Sequence, residues 1–507
     1  MLKKVKLFMK GLSPVVGVVL LIAISVIAAI GVWYWVGDYT QKDSVVSVDY
    51  DNPYIVVSDF NGTAAFLRNL GRAAAEKSVM VYNSSGVLVG WFGLNESSLE
   101  PNDAGFYDLH LLVDELSAGQ YLVLGNGYPK TTFKLDEDYI KPVYVVFFAK
   151  NYGNVYAYYE NGTQYWSTLL SSINTITSSP GISNGRLFIG NDAGKLYCLN
   201  ATNGSILWTF TPYNAGIYYL GSSPFIKGDA VYFAMGGYVY ALNVSDGNQL
   251  WNHSISQPQL STANSYSSSP VIVGDYLYVG EGTYEQTRNG SFYKLDINNN
   301  GSEVCSYAQD GGNDVSSALV KDDVAYIGVG SPYNYTYAFY TSNCSVKWKK
   351  SLNSYVLSSP LLVGDYLIVS EDGNNTNQTY ALNVSSDDAN RVIWTSSSFG
   401  DAISSSAFYS GGLLYVGSDD DYLHVLNLTT GAEVWTYHTG GDVNPSPVVV
   451  NGIVYFGSYD GVLYALNVST HQQVWNVTTS NSFYSSPVVC NIKNWNCVHP
   501  TISGMAN

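Results

Sequence analysis

Residues 222–251, SSPFIKGDAVYFAMGGYVYALNVSDGNQLW, decide the fold because related stretches recur along most of the chain. Residues 445–475, PSPVVVNGIVYFGSYDGVLYALNVSTHQQVW, repeat the same order of features: a Ser-Pro start, an apolar run, a Gly-Asp or Asn-Gly turn, two further apolar runs and a final Trp. Each stretch predicts four short strands joined by turns. Related units begin at Ser178, Ser268, Ser316, Ser358 and Ser405. A repeat of about 36 to 49 residues is typical of a β-propeller blade.

The ends of the repeat region indicate how the ring closes. Residues 143–170 form a unit without a first strand, and residues 485–490, SSPVVC, form a first strand without its unit. Together they complete an eighth blade, and closure by strands from both ends removes the edges that invite aggregation. We therefore predict a mainly β chain with an eight-bladed propeller at 143–490, followed by a C-terminal tail at 491–507.

A short motif lies near the end of each unit. Ala241, Asn243, Gly247 and Trp251 stand at relative positions 0, 2, 6 and 10. This spacing resembles the tryptophan-docking motif of eight-bladed pyrroloquinoline quinone propellers, in which Asp is usual at the second position. The resemblance implies that the short polar side chain ties a turn and that the Trp packs between neighbouring blades. The Trp position holds Trp166, Trp208, Trp251, Trp348, Trp394, Trp435 and Trp475, and Cys305 takes it in one blade.

The N-terminal segment predicts a membrane-inserted helix. Lys3, Lys4, Lys6 and Lys10 precede an uncharged run at 12–37, which as a helix would be about 39 Å long, enough to span a bilayer. A cleaved secretory signal is the alternative. The stretch KGLSPVVGV, residues 10–18, resembles the start of archaeal type IV pilins. The resemblance implies a prepilin leader at 1–11, cleavage between Gly11 and Leu12, and retention of the helix on the mature chain.

Residues 45–138 predict a small β-sandwich. Short β-rich runs such as KSVMVYNSSGVLVGWF alternate there with Ser, Gly and Asn turns, as expected for this fold. Parts of the segment resemble the sandwich of archaellins and archaeal pilins. The polar residues 38–44 before it are typical of a hinge.

Composition favours an exported protein. The chain has 507 residues, 46% hydrophobic and 12% charged, with a net charge of −17, and so few basic residues argue against nucleic-acid binding. Eighteen Asn-x-Ser/Thr sequons are present, each a potential glycan acceptor outside the cell. We expect glycans at Asn61, Asn83, Asn95, Asn161, Asn252, Asn289, Asn334, Asn377 and Asn476. For the docking-motif residues Asn200, Asn243, Asn383, Asn427 and Asn467 we expect turn formation ahead of glycosylation.

The five cysteines add to this interpretation. Cys490 and Cys497 are close enough in sequence to form a disulfide, which suits an oxidising exterior. Cys198 stands where sibling repeats have Ala, so we expect it to fill the core. The odd count leaves at least one thiol unpaired within the chain.

The propeller offers few residues for catalysis. A quinone-dependent dehydrogenase would need a flat quinone in the central funnel and a calcium ion held by carboxylates and an amide. Asp314, Asp401 and Asp442 precede inner strands and are the metal candidates, although solvated loop charges are the commoner explanation. Tyr219, Tyr266, Tyr355 and Tyr484 lie in equivalent loops, where they could stack on sugars or pack the funnel. We predict no enzymatic activity and no cofactor.

Together these features predict an archaeal cell-surface, pilin-like filament subunit that displays its propeller for adhesion or for ligand or protein binding. Its partners would be copies of itself through the N-terminal helix, surface glycans or proteins at the propeller, and the membrane before assembly, with no nucleic acid. The alternative is a membrane-anchored extracellular propeller that does not polymerise, and a quinone-dependent dehydrogenase is the third candidate.

Overall fold

The computed structural model divides the chain into two compact units, residues 1–142 and 143–507. In the second unit it describes 143–176, 178–212, 222–255, 265–283, 290–308, 315–330, 334–373, 376–385 and 391–500. In the first unit it describes the backbone of seven strands between 55 and 134. The predicted leader, helix and hinge, with Gly11, Leu12, Asn61 and Asn83, lie outside the described residues.

The first unit contains two antiparallel sheets. Its strands are β1 (Ile55–Phe60), β2 (Ala64–Asn69), β3 (Ala75–Tyr82), β4 (Leu88–Leu99), β5 (Ala104–Asp108), β6 (Tyr121–Leu124) and β7 (Thr131–Lys134). They pair in the orders β1-β2-β5 and β4-β3-β6-β7. The β-sandwich stays a prediction. Asn95 falls in β4, and its side chain is outside the described part. Among the described residues we find no helix with the length and apolar character to cross a bilayer.

The second unit is an eight-bladed propeller, as predicted. Blade 1 contains β8 (Tyr144–Ala149), β9 (Asn154–Tyr159) and β10 (Gln164–Leu169); blade 2 contains β11 (Gly181–Ser183), β12 (Arg186–Gly190), β13 (Leu196–Asn200) and β14 (Ile206–Phe210). Blade 3 contains β15 (Phe225–Lys227), β16 (Ala230–Met235), β17 (Tyr238–Asn243) and β18 (Gln249–Ser254). Blade 4 contains β19 (Ser265–Ser267), β20 (Val271–Val273), β21 (Tyr276–Thr283), β22 (Ser291–Asp296) and β23 (Ser302–Ala308).

Blades 5 to 8 follow the same plan. Blade 5 contains β24 (Leu319–Lys321), β25 (Val324–Val329), β26 (Tyr335–Tyr340) and β27 (Val346–Ser351); blade 6 contains β28 (Leu361–Val363), β29 (Tyr366–Ser370), β30 (Thr379–Asn383) and β31 (Val392–Thr395). Blade 7 contains β32 (Phe408–Ser410), β33 (Leu413–Gly417), β34 (Tyr422–Asn427) and β35 (Glu433–His438). Blade 8 contains β36 (Val448–Val450), β37 (Ile453–Gly457), β38 (Val462–Asn467) and β39 (Gln473–Thr478).

Blade 1 is completed by the C-terminal end of the chain. Strand β40 (Val488–Asn491) pairs antiparallel with β8, so the first and last parts of the ring share one sheet. A further strand, β41 (Asn496–Val498), pairs with β40, and Cys490 and Cys497 form a disulfide across the two strands. The ordered fold therefore extends beyond residue 490, into what the sequence indicated as a tail.

The second and third strands of the blades form the core. Val231, Phe233 and Leu242 of blade 3 are fully buried, and equivalent apolar positions recur around the ring. The first Ser of each Ser-Ser pair ties its blade together: Ser178 Oγ accepts the backbone N–H of Gly190 at 2.8 Å, twelve residues along, and Ser405 accepts that of Gly417 at 2.7 Å. A small hydroxyl is thus selected where the innermost strand approaches the second.

The docking tryptophans join each blade to the next. At four junctions the indole N–H donates to a backbone carbonyl of the following blade. These are Trp166 to Ala201 (2.8 Å), Trp208 to Val244 (3.0 Å), Trp394 to Leu428 (2.8 Å) and Trp475 to Glu160 (2.7 Å). The last bond joins blade 8 to blade 1. Trp251 covers Gly301, where an added Cβ would lie 2.4 Å from the ring.

At two junctions a larger side chain lies against the indole. Trp348 packs with Arg391, whose guanidinium carbon lies 4.4 Å from the ring centroid, and Trp435 stacks on His471 at 4.5 Å. At the eighth junction Cys305 forms a disulfide with Cys344 of blade 5, a pairing that the sequence analysis missed. Cys198 is a buried free thiol.

Candidate functional site on the loop face

One end of the propeller carries the long connections. Because neighbouring strands are antiparallel, the segment leading into each first strand and the connection between second and third strands lie at the same end of every blade. We call this end the loop face. Asp401 and Asp442 lie on it, in the segments that lead into blades 7 and 8. Asp314 falls outside the described residues.

Residues at the ends of the second strands hold the incoming loops in place. Ser458 Oγ donates to the carbonyl of Gly441 at 2.8 Å, and Ser418 Oγ donates to that of Ala402 at 3.1 Å. In blade 6 the buried Glu371 accepts the backbone N–H groups of Asn353 and Ser354 at 2.6 and 3.0 Å. In blades 6, 7 and 8, the loops that lead into the first strands are therefore hydrogen-bonded to the ends of neighbouring second strands.

Carboxylates from three blades converge on this surface around Asp419. Ser404 Oγ lies 3.3 Å from Asp372 Oδ2 and 3.4 Å from Asp419 Oδ2, and Asn444 Nδ2 lies 3.4 Å from Asp419 Oδ1. Burial, and then the negative charges of Asp442 and Asp372, raise the pKa of Asp419 to about 6. We call Asp372, Asp401, Asp419, Asp421 and Asp442 the carboxylate cluster. An additional positive charge here would be stabilised.

A second carboxylate of the cluster is perturbed in the same direction. Burial, and then Asp421 and Asp401, raise the pKa of Asp442. Sequence reasoning found Asp401 and Asp442 but missed Asp372, Asp419 and Asp421. These three lie in connections between second and third strands. Aligning the residues that follow each second strand, such as SEDG in blade 6 and GSDD in blade 7, would have shown them.

Tyrosines extend the site toward blade 1. The rings of Tyr459 and Tyr484 lie 4.8 Å apart, and Tyr484 is 39% exposed. The backbone N–H of Tyr459 donates to the carbonyl of Asp442 at 2.9 Å, so the pair lies beside the carboxylate cluster. Burial, and then Tyr484, Asp419 and Asp442, raise the pKa of Tyr459. Tyr355 is also exposed. Tyr219 and the side chain of Tyr266 are outside the described part of the chain.

The axis of the ring is bordered by serines. The second residue of each Ser-Ser or Pro-Ser pair donates its backbone N–H to the hydroxyl of the corresponding serine in the next blade. Seven such bonds are present in the described residues: Ser179 to Ser223, Ser223 to Ser269, Ser269 to Ser317, Ser359 to Ser406, Ser406 to Ser446, Ser446 to Ser486, and Ser486 to Ser179. The last bond joins the two ends of the propeller.

The C-terminal segment occupies space near this axis. His499 and Pro500, which follow β41, line a recess together with the Ser-Pro residues of blades 2 to 4. Burial lowers the pKa of His499 to about 4, so its imidazole is neutral at physiological pH. The recess is small and uncharged.

The recess does not fit the quinone cofactor of the dehydrogenase hypothesis. Pyrroloquinoline quinone carries carboxylates, which need cationic partners, and its calcium ion needs oxygen ligands with negative charge. The described lining consists of Ser, Pro, Phe, Val and His residues, which supply neither. Within the described residues no group of three His, Cys, Asp or Glu has the geometry to hold a metal ion.

The predicted glycan acceptors differ in their exposure to solvent. Asn252 and Asn476 are exposed on outermost strands, and Asn161 is exposed in a turn where its Oδ1 accepts the backbone N–H of Thr163 at 3.0 Å. Asn377 is only 8% exposed, and the Oδ1 atoms of Asn334 and Asn377 are buried. Asn334 is partly exposed. The expected glycans at Asn334 and Asn377 stay predictions, and the side chain of Asn377 is the less accessible of the two. Asn289 lies outside the described residues.

The five docking-motif asparagines behave as turn residues. In each, Oδ1 accepts the backbone N–H of the Ser or Thr two residues later, at distances from 2.8 to 3.0 Å. This is the geometry expected for an Asx turn. The residues are Asn200, Asn243, Asn383, Asn427 and Asn467.

The fold and this motif define an eight-bladed propeller of the quinone-propeller type. Residues 151–388 and 383–490 match the family model described as outer membrane protein assembly factor BamB. These matches cover most of the chain, which therefore belongs to the BamB family of propellers.

Individual relatives are distant. The chain is 25% identical over 266 residues to the outer membrane protein assembly factor BamB of Moranella endobia, covering 44% of this chain and 66% of the relative. It is 23% identical over 286 residues to the tetrathionate hydrolase of Acidithiobacillus ferrooxidans, and this match covers 54% of this chain and 47% of the relative. The matches thus span between about half and two thirds of these relatives' lengths. The quinohemoprotein alcohol dehydrogenase of Comamonas testosteroni shares the fold, with a TM-score of 0.52 at 11% identity over 62% of this chain and 70% of that one.

Proposed function

We propose that the propeller is a protein-binding scaffold whose loop face holds a basic segment of a partner protein. The observation that carries the proposal is the convergence of Asp372, Asp419 and Asp442 on one surface, where burial, and then repulsion from the other two carboxylates, raise the pKa of Asp419 to about 6. Such a cluster is costly for an isolated protein. A partner's Lys or Arg would relieve the repulsion, so binding and charge compensation would occur together.

The neighbouring tyrosines suit the same partner. Tyr484 presents an exposed ring next to the carboxylate cluster, and an aromatic face attracts a guanidinium or ammonium group. Tyrosine is enriched at protein interfaces. A net charge of −17 would also steer a basic partner toward the chain.

The family supports a binding role over catalysis. The model that matches most of the chain is described as an assembly factor, and the axial recess lacks the groups that a quinone and calcium would need. Surface glycans remain the other ligand class of the proposal, since exposed tyrosines also stack on sugars.

The binding face can be tested with a defined probe. We would titrate the full chain with a short labelled peptide of alternating Arg and Ser and measure the Kd at low salt. Asp419→Asn with Asp442→Asn should weaken binding about tenfold. The matched control, Asp229→Asn with Asp275→Asn, removes the same charge from exposed turns on the opposite face. Equal Kd values for the two double variants would contradict the proposal.

The native partner requires a separate experiment. A photo-crosslinking amino acid at position 484 should capture one protein in the native cells, and the crosslink should map to a Lys- or Arg-rich segment of it. The same amino acid at position 229, on the opposite face, is the control. Crosslinks to acidic or purely apolar segments would argue against charge-based recognition.

We further propose display at the cell surface on a pilin-like N-terminal helix. The two disulfides, Cys305–Cys344 and Cys490–Cys497, suit an oxidising exterior, and the resemblance of residues 10–18 to archaeal pilins supplies the route. N-terminal sequencing of native protein should begin at Leu12, and imaging should show filaments that carry propellers. A start at Met1, with monomers only after detergent extraction, would favour the simple membrane anchor.

A further inference from the structure

We propose that Asn252 and Asn476 carry N-linked glycans at equivalent positions of blades 3 and 8. Each follows the docking Trp on an outermost strand, β18 or β39. Their registers agree, because Asn252 pairs with Tyr240 and Asn476 pairs with Tyr464, the same position of the third strand. The two sites are therefore related by the symmetry of the ring.

The local geometry suits an acceptor site. Both asparagines are exposed, and so are Ser254 and Thr478, the hydroxyl residues of their sequons. Residues two apart in a strand project from the same face, which places each hydroxyl on the same side as its amide. The exposure of all four side chains shows that this face is open to solvent. In the part of the chain that the structure describes, no strand pairs with the outer edge of β18 or β39.

An exposed aliphatic side chain lies beside each site. Leu250 and Val474 stand two residues before Asn252 and Asn476, and each is 51% exposed. Outermost strands with apolar side chains and unpaired backbone groups are prone to edge-to-edge association. A glycan on the adjacent asparagine would cover the aliphatic side chain and block pairing along that edge.

The reaction needs one co-reactant, a saccharide linked to a lipid through phosphate or pyrophosphate. The Nδ2 atom of the asparagine attacks the anomeric carbon, a C–N bond forms, and the C–O bond to the lipid phosphate breaks. The amide loses one proton and the lipid phosphate leaves, with no change of oxidation state.

The sites can be tested by glycopeptide mass spectrometry of the full chain, exported from a cell that performs N-glycosylation. Asn252→Gln and Asn476→Gln should each remove one glycan mass, and Thr478→Ala should remove the second while keeping Asn476. The matched control, Asn377→Gln, alters a buried sequon and should leave the glycan masses unchanged. Enzymatic removal of the glycans should increase self-association in light scattering.

Export is checked on the same sample. Peptide mapping should find Cys490 and Cys497 disulfide-bonded, which reports on passage through an oxidising compartment. Unmodified Asn252 and Asn476 in material with that disulfide formed would overturn the inference. So would a glycan on Asn377.

Discussion

Lys294 and Cys305 are paired across β22 and β23, and together they replace one tryptophan. In blade 3 the equivalent pair is Ala241 and Trp251. Cys305 supplies the contact with blade 5 through its disulfide to Cys344. Lys294 Nζ donates to the carbonyl of Thr341 at 2.7 Å. Thr341 stands at the position of Ala201, Val244 and Leu428, whose carbonyls accept the indole N–H at other junctions.

The buried amine at this junction is stabilised by an aromatic ring. Lys294 Nζ lies 3.8 Å from the centroid of Tyr276, a cation–π distance, and burial lowers the pKa of Lys294. The covalent bond and the lysine thus perform separately the two tasks that one indole performs elsewhere: filling the space between blades and donating a hydrogen bond.

This substitution predicts that the ordinary junction can be restored. The triple variant Lys294→Ala, Cys305→Trp and Cys344→Gly should fold as a propeller. Its Tm should fall less on reduction than the wild-type Tm does, because only the Cys490–Cys497 disulfide remains to be reduced. The wild-type Tm should fall on reduction, because a disulfide closing about 40 residues is worth roughly 4 kcal/mol in the chain-entropy estimate. The control, Cys305→Ala with Cys344→Ala, should melt lower than the triple variant. Thermal unfolding with and without dithiothreitol is the measurement.

A glycine pair tests the docking of blade 8 on blade 1. Gly162 has φ +84°, and an added Cβ would lie 2.8 Å from Trp475 Cγ, whereas Gly228, with φ +57°, has nothing within 4 Å of that position. Alanine at either site should lower the free energy of unfolding by about 1 kcal/mol, because its Cβ disfavours the left-handed backbone conformation. Gly162→Ala should lose a further 1–3 kcal/mol or so through the clash. If denaturant unfolding showed the same loss of free energy of unfolding for both variants, the Trp475 side chain would be able to move aside without cost.

Ring closure predicts a strong effect of C-terminal truncation. Removing residues 485–507 deletes β40 and β41, exposes the edge of β8 and should lower the Tm by well over ten degrees or prevent folding. Removing only 501–507 keeps both strands and should have little effect. If the longer truncation melted like the full chain, blade 1 would not depend on its C-terminal strand.

The raised pKa of Asp419 predicts that the stability of the folded chain depends on pH. Its pKa is raised to about 6 from 3.8 in the folded state, so ionisation is harder in the folded than in the unfolded chain. Stability should therefore fall as pH rises from about 4 to 6 and stay lower above that. Asp419→Asn should remove this loss and be more stable than wild type at pH 7. A basic peptide bound to the loop face should reduce the difference. If wild type and Asp419→Asn had the same dependence of unfolding free energy on pH, Asp419 would not destabilise the folded chain.

The sequence predicted those features that repeat. The docking Trp recurs in seven units and the motif Asn in five. These local copies reveal both the blade and its docking contact, and the incomplete units at the two ends reveal the closure. The bond between Cys305 and Cys344 escaped notice, although Cys344 stands at the glycine position of its own motif. Finding it required the register between blades as well as the pattern within each.

The candidate site was predictable only in part. Asp401 and Asp442 were found because they precede inner strands, where the repeat is regular. Asp372 and Asp419 belong to connections between second and third strands, which vary from blade to blade, and their approach depends on how loops of three blades converge. The ordered strand at Asn496–Val498 has no counterpart in other units, so no repeat could indicate it.

The composite blade has a consequence for biosynthesis. The backbone N–H of Val143 and the side chain of Asn491, which lie 3.3 Å apart in the finished protein, are separated by 348 residues in the chain. At roughly 5–20 residues per second of synthesis, β8 would wait tens of seconds for β40 to emerge. During that interval seven blades can form while the eighth keeps an open edge, free to pair with another nascent copy. The emergence of β40 is therefore the event that ends this exposure.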